Sequence, residues 1–170
     1  MDDVASAAKV TKPVLYQHFG SKRDLYVELL DDVAGRLVQA IADATSGAAS
    51  PRLQVEAGLS AYFRFVDGSE DAFRLLFGGG SKRDEEFASK VSQVEDLVAE
   101  LIATLITADI PPAQKLALAH GIVGMAETTC RHWLRSRTDD PAAAPTPDGL
   151  ALQLAELAWA GLRGVGTHRL

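Results

Sequence analysis

Apolar residues return at helical spacing through most of this chain, and no other feature limits its possible folds so strongly. After the pentapeptide GSKRD at 20–24, Leu25, Leu29, Val33, Leu37 and Ile41 recur every four residues, with Leu30 and Val38 alongside. That pattern is one face of a helix of about five turns. The same period runs through Val91, Val94, Leu97, Val98, Leu101, Ile102 and Leu105. Glycine and proline cut the sequence into helix-sized pieces at SGAASP (46–51), DGSEDA (67–72), GGGS (78–81), ADIPPA (108–113) and TDDPAAAPTPDG (138–149). No piece between them alternates as a strand would, so the chain reads as all-α. Its 170 residues, 47% of them apolar, suffice for a sizeable core or for a small module joined to a larger one.

Two late segments carry more than one apolar stripe. From Ala113 to Arg137, Leu118, Ile122, Met125, Thr129 and Trp133 form one, and Ala119, Val123, Ala126, Cys130 and Leu134 form its neighbour. The last helix carries Leu150, Leu154, Leu157, Trp159 and Leu162. Helices this broadly apolar are covered on more than one side, by the core, by a cavity wall or by a second copy of the chain. A homodimer through these last two helices is expected.

The net charge is −6, but it is unevenly spread. Between Val4 and Arg23 there is no acidic residue, while Lys9, Lys12, Lys22 and Arg23 give that segment +4 and leave the remainder at −10. This division suits a small anion-contacting element on an acidic body. No apolar run reaches membrane-spanning length, and MDDVASAAK is acidic where a secretory signal would be basic and then hydrophobic. A soluble, cytoplasmic protein is expected. The single Cys130 cannot form an internal disulfide and reads as packing.

The segment Val4 to Leu25, VASAAKVTKPVLYQHFGSKRDL, predicts a short helix through Ala8, a turn at Lys9 and Val10, and a second helix capped by Thr11 with Pro13 in its first turn. A third helix opens at Ser21, whose hydroxyl is placed to cap it. Two short helices and a tight turn make a helix-turn-helix. Val10, Leu15 and Phe19 can face inward, which leaves Lys12, Pro13, Val14, Tyr16, Gln17 and His18 outside. Lys and Gln can hydrogen-bond base edges, Val and Pro can touch thymine methyls, and Tyr and His can reach phosphates. Lys22 and the N–H groups at the helix start converge where a phosphate would be held. The pentapeptide recurs at 80–84 with unrelated flanks, so it is a shared helix cap rather than a repeat; followed by Glu85 and Glu86, this second copy reads as a solvated, self-neutralising loop.

The stretch VASAAKVTKPVLYQHFGSKRDLY, above all LYQHF followed by SK and DL, resembles the tetracycline-repressor (TetR) family of bacterial transcriptional regulators. The resemblance is strong over roughly the first 45 residues and architectural beyond them. It implies an all-α fold: a helix-turn-helix DNA-binding domain with its connecting helix over 1–45, and a helical ligand-binding and dimerisation domain over 46–170. It also implies Thr11 to His18 as the recognition helix and Lys22 as a phosphate contact. Two departures stand out. Lys9 occupies a turn position where the family usually has glycine, and the family's first helix, which packs across the two-helix motif, has no counterpart, so the DNA-binding domain reads as incomplete.

For an effector pocket the candidates are Tyr62, Phe63, Phe73 and Phe77, with Met125, Thr129 and Trp133 from the later helix. Aromatic residues at helical spacing also serve as plain core, and that alternative stays open here. Glu127 and Arg131, four apart, can simply pair, and the Cys130 and His132 beside them complete no metal-ligand set. No activated nucleophile is visible, so no catalytic residue, metal or cofactor is expected. The leading expectation is a homodimeric repressor released from a palindromic operator in double-stranded DNA by a small-molecule effector. The alternative is a helical dimeric ligand-binding protein without DNA-binding activity.

Overall fold

The computed structural model describes residues 1–77 and 85–165. The second GSKRD, at 80–84, lies outside the described residues. Elsewhere the glycine and proline breaks fall between helices. In order these are α1 (Asp2–Ala7), α2 (Lys12–His18), α3 (Lys22–Ser46), α4 (Pro51–Gly68), α5 (Glu70–Phe77), α6 (Glu85–Leu105), α7 (Pro112–Asp139) and α8 (Pro147–Leu162). No strand occurs among the described residues.

Local chemistry fixes the helix starts. Ser21 Oγ accepts the Asp24 N–H at 3.1 Å, Ser50 Oγ accepts the Leu53 N–H at 3.3 Å, and Thr146 Oγ1 accepts the Gly149 N–H at 3.1 Å. Pro51, Pro112 and Pro147 each take the first helical position, where the missing N–H is no loss and the fixed φ already suits the helix.

The core lies among α3, α4, α6, α7 and α8. Phe63 is fully buried, with Tyr62 edge-on to it at 5.3 Å between ring centroids and Trp133 at 6.1 Å. Tyr62 in turn meets Phe73 of α5 edge-on at 6.4 Å. Trp133 Nε1 donates to the Pro145 carbonyl at 2.8 Å, so its one polar atom is satisfied inside the core. Ion pairs join the outer surfaces of the helices: Arg64 grips Asp148 through two hydrogen bonds of 2.7 and 3.0 Å, Lys90 reaches Asp31 at 2.9 Å, and Arg137 bridges Asp67 and Glu70. These pairs are largely exposed and fix orientation more than they stabilise.

The stripe residues are buried or half-buried, with three exposed exceptions. Leu29 is 43% exposed while its neighbour Leu30 is 1%, and Leu97 and Leu157 are 53% and 62% exposed. A step of four residues overshoots a full turn by about 40° and a step of three, as from Val94 to Leu97 or Leu154 to Leu157, falls short by about 60°, so either carries a stripe off the face that the packing selects. On α7 the second stripe wins: Ala119, Ala126, Cys130 and Leu134 are buried, whereas of the first only Trp133 is, and the rest are half-buried.

Candidate nucleic-acid interface and ligand cavity

The turn between α1 and α2 closes by two backbone bonds, Val10 N–H to Ala5 O at 3.0 Å and Lys9 N–H to Ser6 O at 3.1 Å. This is the paired closure that ends a helix with one residue in the left-handed region. That residue is Lys9, at φ 55°. Glycine would take this conformation freely, whereas a side-chain-bearing residue is disfavoured there by roughly 1–2 kcal/mol. Below the turn, Ala5, Leu15 and Leu25, one from each of α1, α2 and α3, are buried.

Helix α2 presents the six residues expected to face outward. Lys12, Pro13, Val14, Tyr16, Gln17 and His18 are all exposed, Tyr16 at 46%. Thr11 sits at the cap position in an extended conformation, but its side chain makes no capping bond. Pro13, with no N–H, removes one of the two donors that a capping hydroxyl serves. Val10 does not face inward as the pattern suggested, being 39% exposed, and Phe19 is half-buried. Ser21 caps α3 as expected, leaving Lys22 exposed in its first turn.

The basic segment is less free of acid in space than in sequence. Lys12 Nζ lies 3.0 Å from Asp2, two positions beyond the acid-free window, because the first turns of α1 and α2 come side by side. The hydrogen bond and charge of Lys12 hold the Asp2 carboxyl below its ordinary value, and Asp2 in turn raises the Lys12 ammonium.

The second feature is a cavity of about 280 Å³, walled by α3, α4, α6, α7 and α8 and by the segment after α6. That is close to the lower end of small-ligand pockets, roughly 300–1,000 Å³. Leu37 and Ile41 of α3, Val55 and Leu59 of α4, Val94 and Val98 of α6, Ile122 and Val123 of α7, and Trp159 of α8 make its walls largely apolar. Tyr62 and Glu127 also line it. The Tyr62 hydroxyl is buried without a hydrogen-bond partner, and Glu127 is ion-paired with Arg131. Burial pushes the Tyr62 phenol well above its ordinary range and the Cys130 thiol beside it up to about 12, so both are neutral.

Both parts of the chain match known family models. The family model for the tetracyclin repressor-like C-terminal domain matches residues 51–161, and that of the tetR family of bacterial regulatory proteins matches residues 1–29. The chain belongs to the TetR family. It is 29% identical over 171 residues to the HTH-type transcriptional activator FasR of Mycolicibacterium smegmatis, covering 99% of this chain and 76% of that protein. Among solved structures, a putative TetR-family transcriptional regulator from Syntrophomonas wolfei superposes with a TM-score of 0.76 at 15% identity, covering 99% of this chain and 86% of that one. The TetR-family regulator PfmR from Thermus thermophilus gives 0.69 at 20% identity, covering 99% and 88%. At these identities the structures speak for the fold. As a TetR-family member the protein is a DNA-binding transcriptional regulator and not an enzyme. Among its described residues no helix is long and apolar enough to cross a membrane.

The aromatic candidates for the TetR-type pocket fall mostly outside the cavity. Of the seven, Tyr62 lines it; Phe63, Phe73 and Trp133 are buried in the core, and Met125 and Thr129 are half-buried off its wall. The Phe77 side chain lies outside what the structure describes. Phe63 and Trp133 pack edge-to-face on each other, and neither is among the residues lining the cavity. The aliphatic wall residues were legible as helix faces but not as a cavity. A buried leucine beside a void and one beside another side chain have the same spacing in sequence.

Proposed function

We propose that this protein is a homodimeric repressor whose hold on a palindromic operator is released by a small molecule bound in the cavity. The observation that carries the proposal is the reach of α3. One unbroken helix of 25 residues begins at the Ser21 cap beside the exposed Lys22 and ends with Leu37, Ile41 and Thr45 in the cavity wall. At about 1.5 Å per residue it is about 37 Å long. A ligand that favours one tilt of α3 therefore alters the placement of α2, and by linkage DNA and ligand affect each other's affinity equally. In this proposal Lys12, Pro13, Val14, Tyr16, Gln17 and His18 read bases and backbone in the major groove, and Thr11 and Lys22 hold phosphates.

Support for the dimer comes from the outer faces of α7 and α8. On α7, Leu116, Ala117, Gly121 and Gly124 are exposed, and on α8 Leu152 and Leu157 are. A Cβ built on Gly121 or Gly124 meets nothing within 4 Å, so a second copy can approach that face closely. An activator is the second reading, because the FasR of M. smegmatis carries that name.

The test is selection of genomic fragments by the purified 170-residue chain, followed by titration at two salt concentrations and a reporter fused to the recovered site. A palindromic site whose affinity falls steeply with salt, and a reporter that is silenced, is the expected result. Lys22→Ala should shallow the logarithmic salt slope by roughly 0.9 for each phosphate that the variant no longer neutralises. A salt-insensitive complex contradicts DNA binding through this face, and a reporter that is switched on selects the activator.

A further inference from the structure

The cations of the acid-free window are not equally committed. Lys12 is held by Asp2 at 3.0 Å, and Arg23 too has an interaction within the protein. Lys9 and Lys22 are exposed and have no ion-pair partner among the described residues. These two bracket α2: Lys9 comes shortly before its cap residue Thr11, and Lys22 shortly after its last residue His18. The 7 residues of α2, at about 1.5 Å each, make it about 10 Å long. That is close to the roughly 12 Å width of the major groove. A helix this short, set in the groove, keeps both of its ends within side-chain reach of the phosphates that border it.

The backbone fixes where Lys9 stands. Its φ of 55° is the one positive φ of a non-glycine residue among the described residues. The bonds from Lys9 N–H to Ser6 O and from Val10 N–H to Ala5 O tie the turn to α1, whose Ala5 is buried. A lysine kept in a conformation that glycine takes without strain is the kind of outlier that collects at functional positions. Thr11, which follows in the same turn, is exposed and its hydroxyl makes no capping bond, so it too is uncommitted.

Resting on the proposal that α2 enters the major groove, we infer that Lys9 is a DNA-backbone contact. Its ammonium binds a phosphate at the N-terminal end of α2, as Lys22 is proposed to do at the other end. The contact adds affinity and holds α2 in register without any base preference of its own. The charge is what this turn gains in exchange for the conformational ease of a glycine.

Fluorescence anisotropy with a mixed-sequence DNA duplex over a salt series would compare the wild-type chain with Lys9→Gln, Lys9→Gly, Lys9→Arg and Lys22→Ala. Lys9→Gln and Lys9→Gly should each shallow the logarithmic salt slope by roughly 0.9 for each phosphate no longer neutralised. For each such phosphate, the affinity lost should be roughly three- to fourfold greater at about 50 mM than at about 200 mM salt. Lys9→Arg keeps the charge and should keep the slope. Lys9→Gly relieves the strain as it removes the charge, so weaker binding by that variant cannot come from a damaged turn. A wild-type slope in Lys9→Gln, with Lys22→Ala shallowed, overturns the inference and leaves α2 as the reading helix. A loss in Lys9→Gln that Lys9→Arg shares, or that Lys9→Gly does not, overturns it as well, because the charge would not be the cause. Wild-type slopes in both Lys9→Gln and Lys22→Ala, or no binding by the wild type, overturn the placement of α2 along with it.

Discussion

The two ends of α3 serve opposite physical purposes. At its N-terminal end the residues proposed to read DNA are exposed: all six outward side chains of α2 are in solvent, and the core beneath them is little more than Ala5, Leu15 and Leu25. At its C-terminal end the proposed ligand surface is inside, an apolar cavity beside a core built on Phe63, Leu30 and Leu37. The lesson concerns how mutations divide. Substitutions at the exposed end should change recognition without changing the fold, and substitutions in the body should change the fold before they change recognition.

The largest test of that division is Phe63→Ala. Removing a fully buried ring flanked by Tyr62 and Trp133 should cost about 3–5 kcal/mol of stability, a large part of what a domain has. Urea denaturation would measure it. A loss under about 1 kcal/mol would mean that the neighbouring cavity lets the core collapse around the deletion, and the contrast would then fail on the body side.

Gln17→Ala is the counterpart at the other end. Its side chain is exposed on α2, so the folding stability should stay within about 0.5 kcal/mol of the wild type. Operator affinity should fall by about 1–3 kcal/mol if Gln17 reads a base. An operator preference over unrelated DNA that is the same in both proteins would show that this side chain is not a reader.

Lys9 sharpens the comparison, because here strain and charge coincide in one residue. Lys9→Gly should slow hydrogen exchange in α1 and α2 by an amount corresponding to about 1 kcal/mol, since glycine occupies the left-handed turn without penalty. Lys9→Ala keeps the φ of 55° disfavoured and should give no such gain. If both substitutions act alike, the effect comes from the charge and not from the backbone.

The smallest effect is expected from Asp2→Asn. Freed of its 3.0 Å partner, Lys12 should bind DNA more tightly by roughly two- to fivefold at low salt, the scale of an exposed ion pair, and the gain should shrink as salt rises. A loss of affinity would instead assign Asp2 the task of holding Lys12 in its DNA-reading position. The two carboxyls most clearly held by arginines also set an acid limit. Burial alone would raise Glu70, but hydrogen bonds from Arg137 and Arg74 hold it below its ordinary value, and the hydrogen bond from Arg64 does the same for Asp148. Each is thus more acidic folded than unfolded, so its contribution is present at neutral pH and is lost as pH falls through the folded value.

Local sequence signals were enough for the helices, their breaks and the helix-turn-helix segment. Those are local matters: a proline at N1, a serine three residues before an N–H it can accept, a lysine forced into a turn, and side chains on a short helix that has no room to bury them. Packing between helices set which stripe of α7 went inside, that Leu29 and Leu157 stayed out, that Asp2 reached Lys12, and that Phe63 and Trp133 packed on each other. A void belongs to no residue. It is the space left where five helices fail to close on one another, set by relative placements that the period of one helix does not encode.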